Sequence, residues 1–356
     1  MKKSEKNIEV MKIAVITYHY SNNKGAFMQT YALCRFLRDL GHKLSIIDVR
    51  QKEYTPWYIK LAKSIIVGAR LKKEMGRHYP SLTRRYYSFE ELRNNPPMAD
   101  CYIVGSDQVW NPKISKDLML AYFLDFGKKD VRRISYASSF GLSKWVISDK
   151  KINSHISDLL HSFSALSVRE QQGQELCERE FGIKPKIVLD PTFLNSDYYE
   201  IHKPGKIKRE IVCYKINKTA DFWENAPTVG RELGLPLLLL NYNYPKKGYK
   251  YCFPPSLKTW LKKIEEAQFV LTDSFHGIAL SIINRKQFVA ILNHNDRDSR
   301  LINLMTTMGL QNRLFNSLGE MLQTDSWKEP IDYSKIEPLI LQQIESSRAY
   351  LKNALK

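Results

Sequence analysis

The stretch that most constrains this chain runs from residue 268 to 292, QFVLTDSFHGIALSIINRKQFVAIL. A short apolar run, Phe269-Val270-Leu271, gives way to polar Thr272, Asp273 and Ser274. His276-Gly277, an apolar segment and a second run over 288–292 follow. That order reads as strand, sharp turn, helix, strand. Thr272, Asp273 and Ser274 are all good helix N-caps, so His276 falls in the first turn of the helix. A helix start offers unpaired backbone N–H groups and a positive dipole end, both suited to an anion. Taken alone, the plainer reading is a capped helix with an incidental histidine, so the weight must come from the rest of the chain.

Residues 12–49 show a related order. The run KIAVITY reads as a buried strand, and residues 26, 27, 30, 33, 34, 37 and 40, apolar except for Thr30, follow helical spacing. Gly41 stops that helix, and residues 44–49 form the next strand. This is a βαβ unit, hence a parallel sheet. The loop Asn22-Asn23-Lys24-Gly25 lies beyond a strand's carboxyl end, where such sheets bind ligands, although it matches no dinucleotide or P-loop pattern. Polar clusters recur after further strands: Gly105-Ser106-Asp107-Gln108, Ser138-Ser139, Arg169-Glu170 and Asp190-Pro191-Thr192. A sheet with one functional edge explains that recurrence better than scattered loops do.

The 356 residues suggest two domains. Residues 1–10 read as a loose tail, 11–203 as a first α/β domain and 204–332 as a second. The boundary is drawn at Pro204-Gly205, and 333–356 form a terminal helix. Residues 50–93 stand apart as a basic helical insertion, with eleven Lys and Arg against four Glu. Within them Tyr58, Leu61, Ala62, Ile65, Ile66 and Ala69 share a helical face, with Lys60, Lys63 and Arg70 elsewhere on the wheel. Two readings stand: a helix resting on an anionic membrane surface, or a core-facing helix with a solvated basic side.

The formal net charge of +18 fits nucleic acid, an anionic membrane or small anionic substrates. No nucleic-acid motif appears, and the aromatics are not interleaved with basic residues as a stacking platform requires, so nucleic acid is set aside. The five cysteines are scattered and form no C-x-x-C, which points to reduced thiols in a cytoplasmic protein and to no zinc site. No apolar run reaches the ~18 residues of a spanning helix.

Six short motifs in one order resemble the polysaccharide pyruvyl transferase family over roughly residues 11–315. They are Asn23-Lys24-Gly25-Ala26 with Gln29-Thr30-Tyr31-Ala32-Leu33, then Val104-Gly105-Ser106-Asp107-Gln108-Val109-Trp110-Asn111, and Tyr136-Ala137-Ser138-Ser139-Phe140-Gly141. Ser167-Val168-Arg169-Glu170, Leu189-Asp190-Pro191-Thr192 and Thr272-Asp273-Ser274-Phe275-His276-Gly277 complete the set. The resemblance implies two Rossmann-like domains in a GT-B-like arrangement with a cleft between them. It implies transfer of the pyruvyl unit of phosphoenolpyruvate onto two hydroxyls of a sugar in a surface-polysaccharide or lipid-linked glycan precursor, with no further cofactor. It also implies that Arg169 and His276 meet the phosphoenolpyruvate. Relatives often carry Arg two residues before that histidine; here Ser274 stands there. Arg300, or Arg297, at the start of the next helix is expected to supply the missing charge.

The chemistry can be stated from the residues themselves. Phosphoenolpyruvate carries a phosphate and a carboxylate, and Arg forks bind both. Ketal formation needs a proton on the enol methylene and bases for the sugar hydroxyls, work for which imidazole is suited near neutral pH. His276, Asp107 and Asp190 are the candidates. Arg169, Arg300, Arg297, Ser274, Gly277, Asn23, Lys24, Gly25, Ser106 and Gln108 are the expected binding residues. For Asp107 and Asp190, a plain loop-capping role is an equal reading. Two rivals remain open: a GT-B-like glycosyltransferase using a nucleotide sugar, and a non-catalytic sugar-binding protein on the same fold.

Overall fold

A computed structural model of the chain describes residues 9–20, 23–50, 69–240, 245–253, 255–294 and 298–356, with backbone only for 69–72. The chain divides into two compact units. One comprises the described residues up to Asn195 together with Ile344–Lys356; the other is Ser196–Gln343. The division thus falls after Asn195, ahead of the Pro204-Gly205 boundary expected from composition, and the chain's end returns to the first unit.

The first unit is built on five strands: β1 Lys12–Ile16, β2 Lys43–Val49, β3 Ser81–Tyr86, β4 Cys101–Val104 and β5 Arg132–Ser135. They form one sheet in the order β3-β2-β1-β4-β5, with every pair parallel. Both faces are covered, which is why β1 and β4 read as near-continuous apolar runs. The two-residue period splits β1 between two cores. Ala14 and Ile16 pack with Val104, Trp110 and Phe140, while Ile13 and Val15 pack with Leu33, Leu37 and Ile103. Leu351 and Leu355, at the end of the terminal helix Tyr333–Ala354, complete the second of these. Two further short strands, β6 Ser167–Val168 and β7 Lys186–Ile187, pair with each other, and isolated bridges Ile134↔Ala165 and Ser138↔Val168 set β6 alongside the β5 segment.

Residues 50–93 are not wholly a helical insertion. β3 lies inside them as an edge strand on β2, followed by a short helix, Phe89–Asn94. Its sequence, SLTRRY, is mostly exposed and carries little apolar signal, as suits an edge. The amphipathic pattern around residues 58–68 lies outside the described residues.

The second unit holds β8 Lys208–Tyr214, β9 Leu237–Leu240, β10 Lys250–Cys252, β11 Ala267–Thr272, β12 Gln287–Ile291 and β13 Leu314–Phe315. All are parallel, in the order β10-β9-β8-β11-β12-β13. Numbered from its own first strand, this sheet is the doubly wound 3-2-1-4-5-6 arrangement, and the first sheet is its five-strand counterpart. The winding direction reverses between β1 and β4 in one unit and between β8 and β11 in the other. At those points neighbouring crossovers leave in opposite directions, and a crevice opens beyond the carboxyl ends of the strands. Among the described residues, no helix is long and apolar enough to cross a membrane.

Candidate functional site

Three of the six motifs found in sequence fall at the two reversal points, and the other three lie at the ends of β5, β6 and β7 in the first unit. In the first unit, Asn23 caps the helix Lys24–Asp39 by accepting from the Gly25 N–H, directly after the β1 edge. Lys24 begins that helix and Gly25 is buried in its first turn. Across the reversal, Thr17 Oγ1 donates to the carbonyl of Ser106 at 2.9 Å and itself accepts from Gln29 Nε2 at 3.0 Å. Tyr18 donates to the carbonyl of Gln108 at 3.3 Å. The ends of β1 and β4 are therefore pinned together by the Thr17 and Tyr18 side chains, which bond backbone carbonyls of the Val104–Asn111 motif while Gln29 of the first motif braces Thr17. Asp107 adopts φ +78° and Ala137, beyond β5, φ +53°. Left-handed backbone at non-glycine residues costs energy and concentrates where geometry serves function.

Arg169 sits beneath this edge, buried with its partners. It donates from Nη1 to Asp190 Oδ2 at 3.1 Å and from Nε to Glu170 Oε2 at 3.4 Å. Burial works against its charge, but the carboxylates of Glu170, Asp190 and Asp107 outweigh that and raise its pKa further. Asp190 is equally engaged. Its Oδ2 also accepts from Ser106 Oγ at 2.9 Å, and its Oδ1 accepts from Thr192 N and Oγ1 at 3.0 and 2.9 Å. Asp190 thus binds Arg169, Ser106 and the following turn at once. Asp107 differs: one oxygen accepts from the Gln108 N–H at 2.9 Å, and the residue is only half-buried. Ser106, Arg169 and Asp190 thus meet directly, with Asp107 and Gln108 on the adjoining turn.

In the second unit the turn after β11 folds as its sequence suggests. Ser274 caps the helix Phe275–Ile283 by accepting from the Gly277 N–H at 3.4 Å. His276 lies in the first turn, buried, its ring edge-on to Phe275. Gly277 is required by a close approach: a Cβ there would run into Thr272 Oγ1 and stand 3.1 Å from Tyr214 Cδ1. Thr272 Oγ1 is fixed in turn, donating to the Tyr214 carbonyl at 2.7 Å and accepting from the Ser274 N–H at 3.1 Å. Burial pushes the Tyr214 hydroxyl up to about 12, a hydrogen bond with Ser274 partly offsetting it, so the phenol stays neutral.

Sequence reasoning missed Lys215. Its ammonium lies 3.1 Å from Asp273 Oδ2, both side chains almost wholly buried. Asp273 also accepts from the Ile216 and Asn217 N–H groups at 2.6 and 2.9 Å. Asn217 donates to Asn293 Oδ1 at 2.7 Å, and Asn293 Nδ2 donates to the Asp273 carbonyl at 3.0 Å. The Asn293 N–H meets the Asp298 carboxylate at 2.9 Å. One network thus ties the ends of β8, β11 and β12 to the helix Asp298–Thr307, which carries half-buried Arg300. Arg297 lies outside the described residues. The available signal was a charged residue closing an apolar strand, since Lys215 directly follows Ile211-Val212-Cys213-Tyr214. Among the described residues, no cluster of His, Cys, Asp and Glu could hold a metal ion.

Solved structures similar to this chain share its architecture. The UDP-GlcNAc 2-epimerase from Neisseria meningitidis bound to UDP-GlcNAc aligns with a TM-score of 0.54 at 10% identity, over 97% of this chain and 99% of its own. The Methanocaldococcus jannaschii UDP-GlcNAc 2-epimerase in complex with UDP-GlcNAc and UDP aligns at 0.53 and 13% identity, covering 90% and 93%. The glycotransferase of kitacinnamycin aligns at 0.50 and 15%, covering 97% and 98%. Identities this low establish the fold, that of GT-B glycosyltransferases and epimerases, and no activity. No curated protein sequence matches the chain. The pattern for polysaccharide pyruvyl transferases, by contrast, matches residues 23–295, from the cap of the first helix to just beyond the Asn293 network. With both reversal points built from that family's motifs, the chain belongs to the polysaccharide pyruvyl transferase family.

Proposed function

We propose that the chain moves the pyruvyl unit of phosphoenolpyruvate onto two hydroxyls of a sugar in a surface-polysaccharide or lipid-linked glycan precursor, forming a cyclic ketal and releasing phosphate. The observation that carries this reading is His276 in the first turn of the helix Phe275–Ile283, at a reversal point, in a chain of this family. In the reaction the enol methylene gains a proton and becomes a methyl group, leaving its neighbouring carbon electrophilic. One sugar hydroxyl adds there, phosphate departs, and the second hydroxyl closes the ring. The two hydroxyl protons replace the one consumed and accompany the phosphate.

His276 suits the proton transfer and the anion at once. The helix dipole disfavours imidazolium in the free site, and a bound phosphate favours it, so donor binding loads the proton. Buried Ser274 contributes no charge, and Arg300 on the tethered helix is our second cation for the donor. Half-exposed Asp107 is the base we assign to an acceptor hydroxyl. Arg169, held between Asp190 and Glu170, we assign to shaping the Ser106–Gln108 turn rather than to gripping the donor.

The test is phosphate release from phosphoenolpyruvate with a sugar acceptor present. His276→Ala should lower kcat/KM by at least ~10²-fold, the usual scale for a lost general acid or base. In the same assay Arg300→Ala should raise the donor KM. Normal turnover by folded His276→Ala protein would remove the histidine, and an unchanged donor KM would remove Arg300. A nucleotide-sugar donor is the second reading, favoured by uncharged Ser274 and by the UDP-GlcNAc held by similar folds. Hydrolysis or transfer from UDP-GlcNAc in place of phosphoenolpyruvate would establish it.

A further inference from the structure

The carboxyl edge of the first sheet holds a second constellation, beside the reversal point and outside the six family motifs. Asp48, near the end of β2, is buried and draws partners from β3 and from just beyond β1 and β2. His19 Nε2 lies 3.0 Å from its Oδ1. Arg50 grips it with Nε on Oδ1 at 2.6 Å and Nη2 on Oδ2 at 2.9 Å, and Arg85 Nε reaches Oδ2 at 3.2 Å. The approach of Arg85 is built in. Pairing between β2 and β3 shifts after Ile46↔Leu82, so that Asp48 stands opposite Arg85 with one extra residue on β3. The Asp48 N–H is taken up by Thr83 Oγ1 within that bulge. A bulge of this kind re-aims side chains, and here it swings a second guanidinium onto the same carboxylate.

The cluster is too cationic to be a closed structural bridge. A carboxylate offers about four acceptor sites and a guanidinium five donors, so one Asp48 cannot satisfy two arginines, least of all while bonded to His19. Burial opposes the Asp48 charge, but its bonds to His19 and Arg50 hold its carboxyl far below the usual range, so it stays a single fixed negative charge against two positive ones. The excess faces outward at Arg85. The Arg85 side chain is 44% exposed, while that of Arg50 is only 15% exposed. Two aromatic rings frame them. Arg50 lies 3.6 Å over the ring of Tyr20, Arg85 donates to the Tyr87 hydroxyl at 3.3 Å, and both tyrosines are half-exposed.

We propose that this edge binds the phosphate of a phosphorylated sugar, with the sugar ring against Tyr20 or Tyr87. Each guanidinium has five donors and keeps some beyond its bonds to Asp48 and Tyr87, and two such cations held side by side by one carboxylate suit a phosphate, whose three oxygens can take donors from both. His19 and Asp48 act as positioning residues that fix where the forks point. Describing this ligand as the acceptor rests on the pyruvyl-transfer reading, but the binding does not.

Calorimetry on the full chain with glucose 1-phosphate, glucose and inorganic phosphate separates the possibilities. Glucose 1-phosphate should bind at least about tenfold more tightly than either of the others, the scale of one charge-assisted hydrogen bond. Arg85→Gln, at a half-exposed position that tolerates change, should abolish that advantage while leaving the phosphoenolpyruvate KM unchanged. Tyr87→Ala should weaken glucose 1-phosphate but not inorganic phosphate. Equal binding of glucose and glucose 1-phosphate would overturn the proposal. So would unchanged binding in Arg85→Gln, or a raised donor KM in that variant. A chain that binds glucose 1-phosphate in this manner yet never turns over phosphoenolpyruvate would sink the pyruvyl-transfer reading alone.

Discussion

The Lys215–Asp273 pair gives the sharpest test of how the His276 turn is held. Asp273→Ala removes the acceptor of a buried ammonium at 3.1 Å and of two backbone N–H groups at 2.6 and 2.9 Å. Breaking a buried pair from one side costs ~3–5 kcal/mol, because the surviving charge stays out of water without a partner. The stranded N–H groups add to this, though not independently, since the loop can relax toward solvent. For a unit of this size each kcal/mol moves Tm by roughly 2–4 °C, so a fall of roughly 10 °C is expected in calorimetry, with a matching drop in urea midpoint. The decisive variant is the double one. Lys215→Met with Asp273→Ala removes the stranded charge as well, and it should recover a substantial part of the loss. If the double variant is no more stable than Asp273→Ala, the cost does not come from an uncompensated lysine. If Asp273→Ala itself stays within about 1 kcal/mol of the parent, the pair is not what ties these strand ends together.

Two other perturbations probe the remaining geometry. Gly277→Ala forces a Cβ against Thr272 and Tyr214, so it should cost ~1–3 kcal/mol of overpacking and depress kcat by displacing His276; a variant of parental stability and activity would show that the approach is not tight. Asp48 has a folded pKa below its unfolded value, so its contribution is complete above the unfolded carboxyl range near ~4 and is lost as pH falls toward the folded pKa. Asp48→Asn should therefore flatten the stability profile below about pH 4, measured by denaturant titration at stepped pH; identical acid slopes in the two proteins would refute the assignment.

Much of the architecture was legible because its signals are local. Apolar runs, cap residues and the stop at Gly41 lie within a few positions of one another, and they gave the βαβ units, the capped turn at Ser274 and the helix carrying Arg300. The short motifs were legible for the same reason, each being a strand end and the turn beyond it. β3 escaped notice because an edge strand need not be apolar, and Arg84 and Arg85 in SLTRRY resemble the basic residues around them.

What the sequence by itself determined was which segments are strands and helices and which turns carry polar groups, since 3.6- and 2-residue periods and caps act within one element. The tertiary structure alone decided which strands are neighbours, and with that which polar groups meet. Strand order put the reversal points between β1 and β4 and between β8 and β11. It joined Lys215 to Asp273, Arg169 to Asp190, and His19, Arg50 and Arg85 to Asp48. The physical reason is burial. A charge taken out of water must find its counterpart wherever the packed sheet brings one, and most of these partners lie dozens of residues away, beyond the reach of any local pattern.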